Sequence, residues 1–102
     1  PGTHLDLIGA YRPDMREADD AAFARARIFC DSRQTAGETG ELQQPIASGA
    51  IRPEAVIADF YEIDAIRRAS PDEVTLFKNG GGAHLDLMVS RHILSAWRAA
   101  RA

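Results

Sequence analysis

The chain has 102 residues, enough for one domain around a single hydrophobic core. Hydrophobic residues make up 45% and charged residues 26%, which excludes a disordered or collagen-like chain. The net charge is -3, whereas general nucleic-acid binders are basic, so no nucleic-acid partner is expected. No apolar run reaches the roughly 20 residues of a membrane span, and we expect no signal peptide. The single cysteine is typical of a reducing compartment, so we expect a cytoplasmic protein without membrane contact.

The chain begins with a short strand, a loop and a short helix. Residues 3–8 have β-type apolar content and predict a strand. Residues 9–17 are rich in glycine, proline and charge, so they predict a loop. A short helix capped by Asp19 or Asp20 is then expected to run to Arg27.

A second alternation of strand and helix follows. Residues 27–31 are a short apolar run and predict a buried strand. Ser32 is suited to cap a short helix that ends at Gly37 or Gly40. Residues 42–47 predict another short helix, closed by Gly49.

The third part of the chain contains another strand. Pro53 suits the first turn of a helix or a turn, and residues 55–66 are apolar enough to be half buried. Residues 74–78 predict a strand that Asn79 and three glycines end abruptly.

The last segment predicts the longest helix, with apolar residues on two faces. Leu87 and Leu94 lie seven residues apart, off the main stripe. Such a helix either bridges two domains or subunits or is sunk in its own core, and the sequence leaves both open. The main stripe follows the i, i+3, i+4, i+7 rule and consists of Leu85, Met88, Val89, His92, Ile93, Ala96, Trp97 and Ala100.

Short strands alternating with short helices predict an α/β protein with a largely parallel sheet. No Gly-x-Gly-x-x-Gly follows an early strand, so the phosphate-binding turn of a dinucleotide domain is absent. The pattern is typical of the second half of a Rossmann-like, doubly wound domain. The three histidines are scattered and no second cysteine supports them, so no metal site is expected.

Several spaced blocks of residues resemble the ornithine cyclodeaminase/mu-crystallin family. The resemblance covers nearly the whole chain in order, which makes it more specific than any single glycine pattern. The matching blocks are Gly2-Thr3-His4, Ile8-Gly9-Ala10, Pro13, Arg16-Glu17, Asp19, Asp31-Ser32, Glu38, Gly40-Glu41, Gly49, Thr75-Leu76-Phe77-Lys78-Asn79, Gly81 and Asp86.

The resemblance implies a protein about three times as long, of which this chain is a C-terminal fragment that is inactive alone. Residues 1–72 would be the latter half of the nucleotide-binding domain. Residues 73–102 would be a strand and helix that return to a substrate-binding and dimerisation domain. The implied homodimer forms through the C-terminal helix together with a region upstream of Pro1.

The resemblance also implies an enzyme. Members of this family pass hydride between NAD or NADP and a carbon bonded to nitrogen, acting on small amino acids or cyclic imines. The positions matching cofactor contacts are Ile8, Gly9, Ala10, Tyr11 and Asn79. The positions matching substrate contacts are Gly80 and Glu38.

Tyr11 departs from the pattern of the family's cyclodeaminases, which carry an aspartate there that acts on the substrate amine. A tyrosine with a reference pKa of about 10 is neutral near pH 7, although it can still donate a hydrogen bond. The resemblance therefore favours reduction of a preformed imine of the pyrroline-2-carboxylate type, with Tyr11 as the candidate catalytic residue or merely a packing residue.

Three other functions remain open at this point. The family also contains true ornithine cyclodeaminases, which convert ornithine to proline and ammonia. A mu-crystallin-like protein would keep the cofactor and bind a ligand without turnover. A self-sufficient small interaction domain is the alternative outside the family.

Overall fold

The computed structural model describes residues 1–101 and confirms the predicted α/β architecture. Four parallel strands form one sheet, in the order β1-β4-β2-β3. The strands are β1 (His4–Leu7), β2 (Arg27–Cys30), β3 (Val56–Ala58) and β4 (Thr75–Lys78). The helices are α1 (Asp20–Arg25), α2 (Arg33–Ala36), α3 (Gly40–Ser48) and α4 (Ala83–Arg101). Two 3-10 segments lie at Pro53–Ala55 and Phe60–Ala65.

The predicted caps explain where the short helices begin and end. The Asp19 carboxylate accepts a hydrogen bond from the Ala22 backbone N–H at 2.9 Å, so Asp19 rather than Asp20 caps α1. The Ser32 hydroxyl accepts from the Thr35 N–H at 3.4 Å at the start of α2. Helix α3 ends at Gly49, whose φ of 84° is a left-handed conformation that favours glycine.

The core lies on one face of the sheet, beneath α1 and α3. Strand residues Ile28 and Leu76 are paired in register and are 1% and 0% exposed. Phe23 of α1 and Leu42 of α3 pack into the same cluster. Full burial of a large apolar side chain stabilises a fold by about 1.5–3 kcal/mol, so this cluster holds the sheet against the helices.

Strand β4 lies inside the sheet although it comes last in the chain. Its residues pair with β1 on one side and β2 on the other, for example Leu76 with both Leu5 and Ile28. The expected boundary after residue 72 grouped this strand with the C-terminal helix. Within this chain β4 ends at Lys78, and the glycines of residues 80–82 separate it from α4, while the domain boundary stays a prediction.

Strand β3 is an element that the sequence pattern did not reveal. It pairs with β2 through Ile28 and Phe29, at an irregularity in the register. The half-buried segment expected at residues 55–66 consists of this strand and the following 3-10 segment. Three residues are too few to display the alternation that identifies a strand.

Helix α4 extends away from the sheet. Its 19 residues correspond to a rod of roughly 28 Å, and the chain measures 53 × 32 × 21 Å. No described residue of α4 is buried, so the helix lies outside the core that residues 1–101 form. No helix within residues 1–101 is long and apolar enough to cross a membrane.

Candidate functional site

The carboxyl ends of the parallel strands bring most of the predicted site residues to one edge of the sheet. Leu7 and Lys78 are partners at the ends of β1 and β4, and the Asn79 backbone N–H donates to the Leu7 carbonyl at 2.9 Å. Residues 8–11 therefore follow one strand while residues 79–82 follow its neighbour. Ligands of open α/β sheets bind at this edge.

The loop after β1 exposes two large side chains. Ile8 is 70% exposed and Tyr11 is 67% exposed, whereas Ala10 between them is buried. The Arg12 guanidinium lies 5.9 Å from the centre of the Tyr11 ring. The loop therefore exposes the apolar side chain of Ile8 and the phenol hydroxyl of Tyr11, while Ala10 is buried.

Gly9 makes a contact that the sequence did not suggest. The backbone N–H groups of Gly9 and Ala10 both donate to one carboxylate oxygen of Glu17, Ala10 at 3.3 Å. A Cβ atom on Gly9 would lie 2.9 Å from that oxygen. The space freed by the glycine is therefore filled by the Glu17 side chain.

The loop after β4 has a defined shape rather than a flexible one. The Gly80 N–H donates to the Asp31 carboxylate at 2.9 Å, and a Cβ on Gly80 would lie 2.7 Å from the backbone nitrogen of Ala36. The Gly81 N–H donates to the Asn79 side-chain oxygen at 2.8 Å, and Gly81 has a φ of 80°. Glycine is thus favoured at positions 80 and 81 for different reasons: at Gly80 a side chain would lack space, and at Gly81 the backbone has a positive φ.

Glu38 is the predicted site residue that the structure does not join to the others. It is exposed in the turn between α2 and α3, where its backbone N–H donates to the Thr35 carbonyl at 3.2 Å. Nearby Ala36 contacts Gly80, so this turn lies close to the loop after β4. The hydrogen bonds within residues 1–101 do not connect Glu38 with residues 8–11.

Sequence reasoning missed three charged side chains that are buried beneath this edge. Asp31, Glu41 and Lys78 are each at most 1% exposed. Burial lowers the pKa of Lys78, while the carboxylates of Glu41, Glu17 and Asp31 act in the opposite direction. The available signal was that Lys78 is the only lysine of the chain and stands at the end of a buried strand.

Cys30 lies beside Lys78 in the sheet and is inert. Its side chain is buried, and burial raises the pKa of the thiol to about 12. A thiol with such a pKa is protonated near neutral pH and is a poor nucleophile. Cys30 therefore contributes packing, as its place in an apolar strand predicts.

Comparison with known proteins connects this geometry to a family. The model of the ornithine cyclodeaminase/mu-crystallin family matches residues 1–101. A Delta(1)-pyrroline-2-carboxylate reductase from Paracoccus denitrificans is 62% identical over 97 residues, which are 91% of this chain and 31% of the relative. Protein SAR DEFICIENT 4 from Arabidopsis thaliana is 35% identical over 94 residues, which are 89% of this chain and 29% of that protein.

Solved structures show the same fold. An archaeal alanine dehydrogenase dimer with bound NAD superposes with a TM-score of 0.77 at 30% identity, covering 99% of this chain and 32% of that chain. The Delta(1)-pyrroline-2-carboxylate reductase of Thermococcus litoralis, in complex with NADH and L-proline, gives a TM-score of 0.72 at 28% identity. That match covers 76% of this chain and 25% of the other.

The chain spans about a third of the length of the curated relatives it matches. The family match nevertheless extends through all of the residues that form the sheet, the glycine-containing edge and α4. By this match the chain belongs to the ornithine cyclodeaminase/mu-crystallin family.

Proposed function

We propose that this chain is the C-terminal part of an NAD(P)-dependent reductase that reduces a cyclic imine amino acid of the pyrroline-2-carboxylate type to the corresponding amino acid. The observation that carries the proposal is the 62% identity to a Delta(1)-pyrroline-2-carboxylate reductase, which covers 91% of this chain. The alanine dehydrogenase and the archaeal reductase with the same fold contain NAD and NADH respectively.

The edge formed by residues 8–11 and 79–82 fits a nicotinamide ring. The exposed Ile8 side chain offers an apolar surface to a flat ring, and the Glu17 carboxylate holds the backbone of Gly9 beside it. Asn79 follows the neighbouring strand and supplies an amide. We assign Ile8, Gly9, Ala10, Tyr11 and Asn79 to the cofactor side of the site.

The cofactor supplies the hydride, and the protein positions the reactants and supplies hydrogen bonds. Tyr11 is exposed and carries a hydroxyl that donates to the substrate without adding a negative charge. An imine already contains the C=N bond, so its reduction needs no carboxylate to deprotonate an amine first. Gly80 and Glu38 are assigned to the substrate side, where Gly80 lies against the backbone of α2.

The test is an activity assay of the complete protein. We expect NADH or NADPH oxidation with Delta(1)-pyrroline-2-carboxylate and formation of proline. Absence of turnover with either cofactor would contradict the proposal. Release of ammonia from ornithine in the presence of NAD would identify a cyclodeaminase, and tight ligand binding without turnover would identify a mu-crystallin-like binding protein.

We also propose a cytoplasmic homodimer in which α4 contributes to the interface. Six large apolar side chains of α4 are 45–62% exposed, which is unusual for a helix that faces only water. The alanine dehydrogenase with the same fold is a dimer. Fractionation of cells and the molar mass in solution test the location and the assembly.

A further inference from the structure

We propose that Glu17 is a positioning residue that fixes the backbone of residues 8–11, and that Glu41 in turn fixes Glu17. This inference rests on the proposed function only in that the loop is the cofactor side of the site. The contacts that support it lie entirely within the described chain.

Glu17 contacts the loop that follows β1. One Glu17 carboxylate oxygen accepts from the backbone N–H groups of both Gly9 and Ala10. These two residues follow β1 directly and belong to neither a helix nor a strand. A hydrogen bond to a charged acceptor is stronger than a neutral one, so the carboxylate restricts the loop between Ile8 and Tyr11.

Glu41 in turn contacts the backbone of Glu17. The Glu17 N–H lies 2.8 and 2.9 Å from the two carboxylate oxygens of Glu41, and the Ala18 N–H donates to the same group at 3.0 Å. Glu41 is 0% exposed and lies in the first turn of α3. A buried carboxylate that accepts from two successive backbone groups holds the segment bearing Glu17 against the helix.

The first turn of α3 holds the preceding residues as well. The Gly40 N–H donates to the Arg12 carbonyl at 2.9 Å, and the Gln44 side chain donates to the Pro13 carbonyl at 3.1 Å. A Cβ atom on Gly40 would collide with the carbonyl oxygens of Pro13 and Met15. The segment from Arg12 onward therefore packs against the first turn of α3. From this segment, the Glu17 side chain contacts the loop that follows β1.

The charges around this connection are consistent with a positioning role. The side chain of Lys78 is buried at the end of β4, and its ammonium group interacts favourably with the carboxylates of Glu41 and Glu17. Lys78 makes no side-chain hydrogen bond within the described residues, so the link between the loop and α3 consists of the contacts of the two glutamates. Displacement of Glu17 is expected to loosen the loop while the sheet stays intact.

The experiment compares Glu17→Ala and Glu17→Gln in the complete protein. Glu54→Ala and Glu54→Gln are the matched controls, because Glu54 is an exposed glutamate in a 3-10 segment away from this edge. Hydrogen–deuterium exchange is measured on the peptide spanning residues 8–11 and on a peptide from β2. Dissociation constants for NADH and NADPH are measured by fluorescence titration, and KM and kcat are measured separately.

We expect Glu17→Ala to speed exchange at Gly9 and Ala10 by about tenfold or more, the size expected for loss of a hydrogen bond to a charged group. Exchange in β2 should not change. The dissociation constant for the dinucleotide should rise about tenfold, with a corresponding rise in KM for the cofactor. Glu17→Gln keeps an acceptor oxygen and should lie between wild type and Glu17→Ala.

Unchanged exchange and unchanged cofactor affinity in Glu17→Ala would overturn the inference. Faster exchange in the loop with unchanged cofactor affinity would show that Glu17 serves stability alone, and would also overturn it. If Glu17→Ala does not fold, the same comparison is decided on Glu17→Gln.

A protein that binds dinucleotide but does not reduce the imine refutes the proposed substrate while the inference about Glu17 stands. A protein that binds neither dinucleotide refutes the proposed function, and the exchange rates then decide whether Glu17 holds the loop.

Discussion

Lys78 combines burial with a charge that has no hydrogen-bond partner. Its Nζ atom is one of three buried side-chain polar atoms without a partner among the described residues. Burial disfavours the protonated form, so the pKa of Lys78 lies below its ordinary value of 10.5. At pH values between the lowered pKa and 10.5, Lys78 is protonated in the unfolded chain but not in the folded chain. The free energy of unfolding therefore rises with pH in that window.

This effect predicts how Lys78→Met changes the pH dependence of stability. Between about pH 8 and about pH 10, wild type should gain free energy of unfolding relative to Lys78→Met, because only wild type carries the titrating lysine. Urea unfolding at both pH values measures the difference. Arg91→Met removes an exposed cation and should follow wild type. Parallel pH dependence of Lys78→Met and wild type would contradict the prediction.

The hydroxyl group of Tyr11 is expected to contribute to reduction of the imine. Tyr11→Phe removes the hydroxyl while keeping the ring, so we expect kcat/KM for the imine to fall about tenfold, as for loss of one hydrogen bond. Steady-state kinetics of the complete protein measure the change. Tyr61→Phe is the matched control, because Tyr61 is 91% exposed in a 3-10 segment and has no assigned role. Equal activity of the Tyr11 and Tyr61 variants would show that the Tyr11 hydroxyl takes no part.

The turn between β4 and α4 shows how two adjacent glycines act differently. Gly80→Ala pushes a methyl group into the backbone of Ala36 and should destabilise the protein by about 1–3 kcal/mol through overpacking. Gly81 has a positive φ, and a Cβ atom added to it would meet no atom within 4 Å, so Gly81→Asn should be tolerated at a cost below about 1 kcal/mol. Thermal unfolding compares the two variants. A larger loss in Gly81→Asn would contradict this assignment.

At the scale of elements, the sequence predicts well those helices and strands that have strong local signals. Asp19, Ser32 and Gly49 act at the helix ends where their side chains or backbone freedom suggest. The strand at residues 56–58 was missed, because its pairing with β2 is determined by tertiary packing rather than by its own three residues.

The candidate site was predictable only in part. Residues 8–11 and 79–80 are site residues predicted from the resemblance, and they lie at the same edge because they follow neighbouring strands that the pattern shows clearly. The link from Glu17 to Glu41 spans 24 residues in sequence, and nothing local to either residue reveals it. The burial of Lys78 follows from the sheet order, which places its strand between two neighbours, and no local pattern shows that order.

At the scale of the whole molecule, α4 leads to a prediction about assembly. Ile93 is 62% exposed on α4, and Ile93→Asp would place a charge at the centre of the proposed interface. We expect the dimer dissociation constant to rise tenfold or more, which analytical ultracentrifugation of the complete protein measures. Ser90→Asp adds the same charge at an exposed polar position of the helix and is the control. An unchanged dissociation constant in Ile93→Asp would exclude this part of α4 from the interface.

The position of β4 between β1 and β2 has a consequence for how the protein is made. A ribosome synthesises the chain from its amino terminus, so β1, β2 and β3 all emerge before the strand that joins β1 to the other two. A nascent chain that ends before Thr75 leaves the facing backbone edges of β1 and β2 without a partner strand. Its core therefore forms late, after translation has passed Lys78, and until then the growing polypeptide depends on other surfaces or on chaperones to avoid aggregation.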